Sequence, residues 1–299
     1  MTAATDTAWR LGVSPLSWTN DVLADLGGET PVETCLVEAA EAGYAGVELG
    51  RLFPRDAAKL RSLFGAHDLA LASGWHSGFL AERDVAAETA AVEAHARLLA
   101  DLGAEVMVYG ECGRMAAGSP LDVGMSGRLT LDAGEVGDYA GRLTEFARRL
   151  HGEYGLRLGY HHHLMMVAET FDEISALFDR TGPEVGLLLD TGHAAAGGFD
   201  YARLLERFGD RIVHIHLKDV RPDMMAEVRA HDLSFNDGVR AGMFTVPGDG
   251  GVDFSALAGF VRDTGYRGWL VVEAEQDPAK VPPLPAVSRA REHVLSFFA

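Results

Sequence analysis

The sequence predicts an α/β protein, a single (β/α)8 TIM barrel, on three observations. Short β-branched or apolar runs alternate with Ala/Leu/Glu/Arg-rich helical stretches, the pattern of βα units around a parallel sheet. Eight such runs occur, the number that closes the barrel. Three of them break off in acids or imidazoles: Gly-Leu-Leu-Leu-Asp190, Ile-Val-His214-Ile-His216 and Trp269-Leu-Val-Val-Glu273. A buried parallel strand that opens into a polar site reads this way.

Taken in order, strands are expected at 11–14, 46–49, 69–74, 106–109, 156–161, 185–190, 212–216 and 270–273. Helices are expected between them. The one at 31–41 has Thr30 as N-cap and Pro31 at its first position. Another, 85–102, stops at Gly103. A third lies at 170–179, and 254–264 is capped by Asp253. Two connections, 110–134 and 221–251, are long, follow strands and are expected as loops over the barrel's C-terminal face.

The bulk numbers agree with one domain over 1–299, since such barrels run to about 250 residues before insertions. No apolar run approaches the roughly 20 residues that span a bilayer, so no membrane partner is expected. Met1 to Asp6 lacks a basic segment leading into an apolar core, so no signal peptide is read and cytoplasmic placement is expected. A net charge of −18 argues against nucleic acid as partner. A homo-oligomer is compatible with the composition, which leaves the assembly state open. Of the two cysteines, Cys35 sits in an apolar helical pattern and reads as core, while Cys112 reads equally as loop or site rim.

The strand ends carry the chemistry. Residues i and i+2 of a strand share a face, so His214 and His216 point inward together, His216 nearer the mouth as the better metal ligand. Asp190, if buried, must be paired or metal-bound; its other reading is the N-cap of the next helix. Glu273 sits at ligand depth, and Glu275, on the same face, is close enough for one of the two carboxyls to gain a raised pKa and transfer protons. His193 stands at the rim, where it would meet a substrate oxygen. In Tyr160-His-His-His163, His161 and His163 share the inner face and His162 turns into helix packing; His163 reads as either a polar contact or a ligand. Trp18, Asn20, Glu48, Trp75 and His76, at the ends of strands one to three, are candidates to meet a polyol, each with a core or surface role as its alternative. Lys218 would reach a developing oxyanion, or else pair with Asp219 or a loop acid. Imidazole with carboxylate suits a divalent ion such as manganese, cobalt, iron or zinc.

These residues resemble the sugar-phosphate isomerase/epimerase-like barrels, which place metal ligands at the ends of strands five to eight. Within them, the chain is most similar to the inosose dehydratase family. Leu16-Ser-Trp-Thr-Asn-Asp21, Ser73-Gly-Trp-His-Ser77, Tyr160-His-His-His163, His216-Leu-Lys-Asp-Val-Arg-Pro222, Phe244-Thr-Val-Pro-Gly-Asp-Gly250 and Val272-Glu-Ala-Glu-Gln-Asp-Pro278 carry the resemblance in order along the chain. It implies His161, Asp190, His216 and Glu273 as ligands of Mn2+ or Co2+, with His161 where other members have a glutamate. It also implies glutathione as a further requirement, and dehydration of a cyclic polyol ketone in inositol catabolism. In that scheme Glu273 or Glu275 is the base, Lys218 stabilises the enediolate, and His163 or His193 is the acid. A keto-sugar epimerase or isomerase on the same barrel is the alternative. A metal phosphodiesterase and a non-catalytic sugar-binding barrel are more remote.

Overall fold

The computed structural model describes residues 9–116 and 120–298. The reading of Met1 to Asp6 and part of the 110–134 connection therefore lie outside the described residues. Seven strands come first: β1 (Arg10–Val13), β2 (Gly46–Leu49), β3 (Ala70–Gly78), β4 (Val106–Glu111), β5 (Arg157–His161), β6 (Val185–Asp190) and β7 (Ile212–Leu217). A short antiparallel pair, β8 (Asp219–Val220) and β9 (Phe244–Thr245), precedes β10 (Trp269–Val272). The first seven strands and β10 pair in parallel and close as β1-β10-β7-β6-β5-β4-β3-β2. The fold expected from the sequence is the fold observed.

Around the barrel run α1 (Val32–Glu41), α2 (Ala57–Gly65), α3 (Val85–Asp101), α4 (Ala133–Tyr154), α5 (Phe171–Phe178), α6 (Thr191–Ala196) and α7 (Ala202–Phe208). Then come α8 (Pro222–Ala230), α9 (Phe235–Ala241), α10 (Ser255–Thr264) and α11 (Pro283–Ser296). Alternation along β7 buries Ile215 and Leu217 in the apolar layer between sheet and helices and leaves His214 and His216 for the interior. The Trp269 ring packs with Ala72 and Val271 inside the barrel. Gly46 makes room for it, because a Cβ there would lie 2.5 Å from the indole and 2.6 Å from the Ala70 carbonyl oxygen.

Two details of capping differ from expectation. Pro31, not Thr30, is the N-cap of α1, and the Thr30 hydroxyl instead donates to the Trp18 carbonyl. Phe254 caps α10, while the Asp253 carboxylate accepts from the Ser255 amide and hydroxyl. Both are one-residue shifts of a helix end, within the one or two residues over which such boundaries vary.

The larger correction concerns 221–251, which is not a loop. It folds as α8, α9 and β9, which pairs back with β8 just ahead of it, because its apolar residues bury a second small core. Met225, Val228, Phe235, Val239, Met243 and Phe244 pack there with Leu164 and Met165 from after β5. The described part of 110–134 docks on it: Gly124 bridges Ser234, Ser126 donates its amide and hydroxyl to Asp232, and Asn236 donates to Asp122 at 2.6 Å. These segments together roof the C-terminal mouth.

Glu111, at the end of β4, ties the start of this roof to the barrel. It accepts from the Tyr109 hydroxyl (2.8 Å), the Ala81 amide (3.2 Å) and the Gly113 amide (2.8 Å). Burial pushes its carboxyl up to about 7 despite these bonds. A raised carboxyl favours the folded state while protonated, below the unfolded value near 4.5, and that stability is lost as pH climbs through 7. Comparing the wild type with Glu111→Gln by urea unfolding, the wild type is expected to lose up to about 3 kcal/mol relative to the variant between pH 4 and 8. A constant difference across that range would show that Glu111 titrates normally.

Candidate metal centre

Four side chains from β5, β6, β7 and the segment after β10 converge inside the mouth. His161 donates from Nδ1 to the His162 carbonyl (2.7 Å), and a carbonyl only accepts, so its Nε2 carries a lone pair. That nitrogen faces Asp190 Oδ2 at 3.5 Å. His216 turns Nε2 to Glu48 Oε1 (3.1 Å) and Nδ1 to Asp190 Oδ2 (3.5 Å) and Glu273 Oε2 (3.1 Å). Asp190 Oδ2 and His216 Nδ1 are both buried with no hydrogen-bond partner. Buried lone pairs and carboxylate oxygens repel one another unless a cation lies between them. Burial would lower His216, yet the Glu273 and Glu48 carboxylates hold it well above its ordinary value, a proton being the other way to relieve the crowding.

Divalent ions bound about 2.0–2.2 Å from N and O donors separate those donors by about 3.0–3.5 Å, as here. The set His161, Asp190, His216 and Glu273 fits such an ion. His193 also lies within 4.8 Å of His161, Asp190 and Glu273 donors, but the Lys218 ammonium takes its Nε2 at 3.0 Å. The Leu164 amide approaches His193 Nδ1 at 3.3 Å; a neutral ring accepts at one nitrogen, and the shorter, charge-assisted bond claims Nε2.

Asp190 divides its two carboxylate oxygens. Oδ2 faces the centre, while Oδ1 accepts from the His193 amide at 2.7 Å and caps α6. His162, packed against Phe199, accepts from the Asp190 amide at 3.2 Å and so holds the end of β6 from behind. Glu48 is the support that the sequence did not reveal. One oxygen accepts from Ser73 (2.5 Å), His214 (3.0 Å) and His216 (3.1 Å). Burial works against its charge, but His216 and His214 hold the carboxyl well below the usual range. A carboxylate behind a ligating imidazole fixes both its tautomer and its direction.

Lys218 is fully buried and does not meet Asp219; its acidic partners lie in the loop that follows β10, the loop-acid alternative. Its ammonium pairs with Glu273 Oε1 (2.5 Å) and Glu275 Oε1 (2.9 Å) and donates to His193 Nε2 (3.0 Å), so all three N–H groups are engaged. Burial would lower it, but Glu273, Glu275 and Asp190 hold it far above its ordinary value. Asp219 instead accepts the amides of Val220, Gly248, Gly250 and Val252 and shapes that turn. Thr191 accepts from the Lys218 amide and donates to its carbonyl, pinning the backbone.

Above the four donors lies a cavity of 730 Å³ whose walls include Asn20, Glu48, Trp75, His161, His163, His216, Glu273 and Glu275, under Leu121, Phe235 and Asn236 of the roof. Trp75 stands edge-on to His161 and His163. Asn20 reaches the wall while its side-chain oxygen accepts the Val22 and Leu23 amides. Cys112 lines the rim and Cys35 is core. Two candidates turn away. Trp18 is buried and donates to Glu38 at 2.6 Å, and His76 pairs with the buried Glu88 at 2.7 Å beneath α3. Burial and neighbouring positive charge hold His163 and His193 well below the usual histidine value, so both rings are neutral. Burial also raises Glu275, against the pull of Lys218.

A barrel of this topology with nitrogen and oxygen donors gathered at its C-terminal mouth defines a class, and comparison places the chain in it. Residues 36–296 match the model of the xylose isomerase-like TIM barrels, and the chain belongs to that family. Inosose dehydratases of Clostridium perfringens and Geobacillus thermodenitrificans are 39% and 38% identical, each over 95% of this chain and 96% of that protein. The Rhizopine catabolism protein MocC of Rhizobium meliloti is 46% identical over 95% of this chain and 87% of its own length. Among solved structures, the IolI protein with a binding zinc atom superposes with a TM-score of 0.70 at 16% identity, covering 97% of this chain and 98% of that one. At that identity the likeness is one of fold. Among the described residues, no helix is long and apolar enough to cross a membrane.

The two adjacent histidines of β5 and its end give a direct check. His161→Ala is expected to weaken Mn2+ binding by more than the 10–100-fold typical of an outer hydrogen-bond partner, measured by competition with a chromophoric chelator. His162→Ala is expected to retain the ion and lower the melting temperature instead. The reverse pattern would mean that β5 presents the other histidine.

Proposed function

We propose that this protein is an inosose dehydratase, a hydro-lyase that removes one water from 2-keto-myo-inositol to give a trihydroxycyclohexane dione in inositol catabolism. The observation that carries the reading is the set of His161, Asp190, His216 and Glu273, with His161 and His216 each 3.5 Å from Asp190 and His216 3.1 Å from Glu273, beneath a cavity large enough for a six-membered polyol, in a chain 36–39% identical to several inosose dehydratases. Mn2+ or Co2+ is the proposed ion, as mixed imidazole and carboxylate ligands suit both. When bound, it polarises the ketone as a Lewis acid. Glutathione enters only through the family resemblance, and no step below uses it.

The chain's own residues divide the work as follows. Glu273 has one oxygen at His216 and the other at Lys218, which commits it to holding the centre. Glu275, on the cavity wall with one oxygen on Lys218, is the base. It takes the proton from the carbon beside the carbonyl; the C–H pair becomes the enediolate. The neighbouring C–O bond then breaks, and the carboxyl of Glu275 returns its proton to the departing hydroxide, so that water leaves. The enol product relaxes to the dione. His163 donates its Nδ1 proton to the Leu164 carbonyl (2.6 Å) and presents the Nε2 lone pair, which makes it an acceptor for a substrate hydroxyl rather than an acid. Lys218, its donors all engaged, acts by holding Glu273 and Glu275 in place.

A second substrate deserves the same assay, because the Rhizobium meliloti protein of rhizopine catabolism is also similar, at 46% identity. The test is an anaerobic reaction of Mn2+-loaded protein with 2-keto-myo-inositol, with and without glutathione, following dione absorbance and product mass. Loss of one water is expected. Glu275→Gln should lower kcat by about 10²–10⁴-fold with the ion retained, the range for losing a general acid–base group. Glu273→Gln should lose the ion as well. Unchanged mass with deuterium taken up from solvent would indicate an epimerase or isomerase instead.

A further inference from the structure

Beside the four donors lies a second group able to hold a metal: His163, His193 and Glu275, all buried, with donor atoms within 4.8 Å of one another. Glu273 stands between the two groups, with Oε2 toward His216 and Oε1 turned to the other side. One carboxylate shared between neighbouring N/O donor sets is an arrangement suited to two divalent ions about 3.5–4 Å apart. Here the second position is filled by the chain itself. The Lys218 ammonium lies 2.5 Å from Glu273 Oε1, 2.9 Å from Glu275 Oε1 and 3.0 Å from His193 Nε2. It is also 3.9 Å from Asp190 Oδ2.

We propose that Lys218 is the second cation of this centre, a fixed ammonium that holds Glu273, Glu275 and His193 in place of a second metal and keeps the site mononuclear. The inference rests on the metal reading above. Three features support it. The lysine stem passes where any side chain at residue 192 would stand: a Cβ on Gly192 would meet Lys218 Cγ at 2.5 Å, Cβ at 2.7 Å and Cδ at 2.8 Å. Its tip lies 4.7 Å from the centre of the Phe244 ring, whose face favours a cation. It also offsets charge: one divalent ion and one ammonium meet the three carboxylates of Asp190, Glu273 and Glu275, while His214 and His216 hydrogen-bond the fourth, Glu48, and buried charge left without a partner is costly. A hydrated divalent ion needs the same donors, so ammonium and second metal exclude each other.

The test is metal stoichiometry. Wild type, K218A, K218R and the double variant K218A/H193A are loaded with Mn2+, desalted and analysed by mass spectrometry for metal per chain, and by EPR for isolated or exchange-coupled manganese. Expected are one ion per chain and an isolated spectrum for wild type and K218R. K218A should hold two ions with a coupled spectrum, and the double variant should return to one. Two ions in the wild type or in K218R would overturn the proposal, whether or not K218A folds. So would a folded K218A that keeps a single ion. No ion in the wild type would instead remove the metal reading on which the proposal rests.

Discussion

The carboxylates of Asp190, Glu273 and Glu275 meet around one ammonium in the buried mouth of the barrel, and the balance of that charge governs the rest of the site. Burying a carboxylate without a partner costs several kcal/mol, far more than any single cap or surface ion pair returns. Lys218 supplies one positive charge from within the fold. The unpartnered Asp190 Oδ2 and His216 Nδ1 mark where the remaining charge has to come from. A bound divalent ion would therefore stabilise the protein as well as activate it.

Around this charge the structure has arranged supports rather than further ligands. Asp190 is anchored three ways, by the α6 cap through its Oδ1, by the His162 ring behind its amide, and by its place in the β6–β7 ladder opposite His216. Glu48 and Ser73 reach across the barrel interior to hold the ring of His216. Thr191 fixes both backbone groups of Lys218. Each of these comes from a different strand or turn, so the closure of the barrel itself aims the donors. The roof of α8, α9 and the described part of 110–134 has its own apolar core, which encloses the cavity.

What the sequence made legible was local. Eight apolar runs, the breaks at Asp190, His216 and Glu273, and the alternation that sets His161 against His162 are properties of short windows, and period and strand ends are strong signals. The supports were not legible, because they depend on partners far apart in the chain. Glu48 was expected to meet substrate, and nothing near it in sequence indicates that Ser73, His214 and His216 would converge on one of its oxygens. For Lys218 the sequence offers an oxyanion, the adjacent Asp219 or a loop acid, without saying which loop. Its true partners lie 25–57 residues away, and Asp219 is drawn off by amides of the 248–252 turn. Trp18 and His76 carry the right chemistry for a polyol contact, but Glu38 and the buried Glu88 draw them into packing. The 221–251 segment read as loop because its glycines and charges masked apolar spacing that only the roof's core explains.

The most direct test of the centre is a crystal structure of Mn2+- or Co2+-soaked protein with anomalous data collected on both sides of the metal edge. One peak is expected, between His161 Nε2, Asp190 Oδ2, His216 Nδ1 and the Glu273 carboxylate, with Lys218 still joined to Glu273, Glu275 and His193. A peak among Glu48, His214 and His216, or none at all, would contradict the assignment.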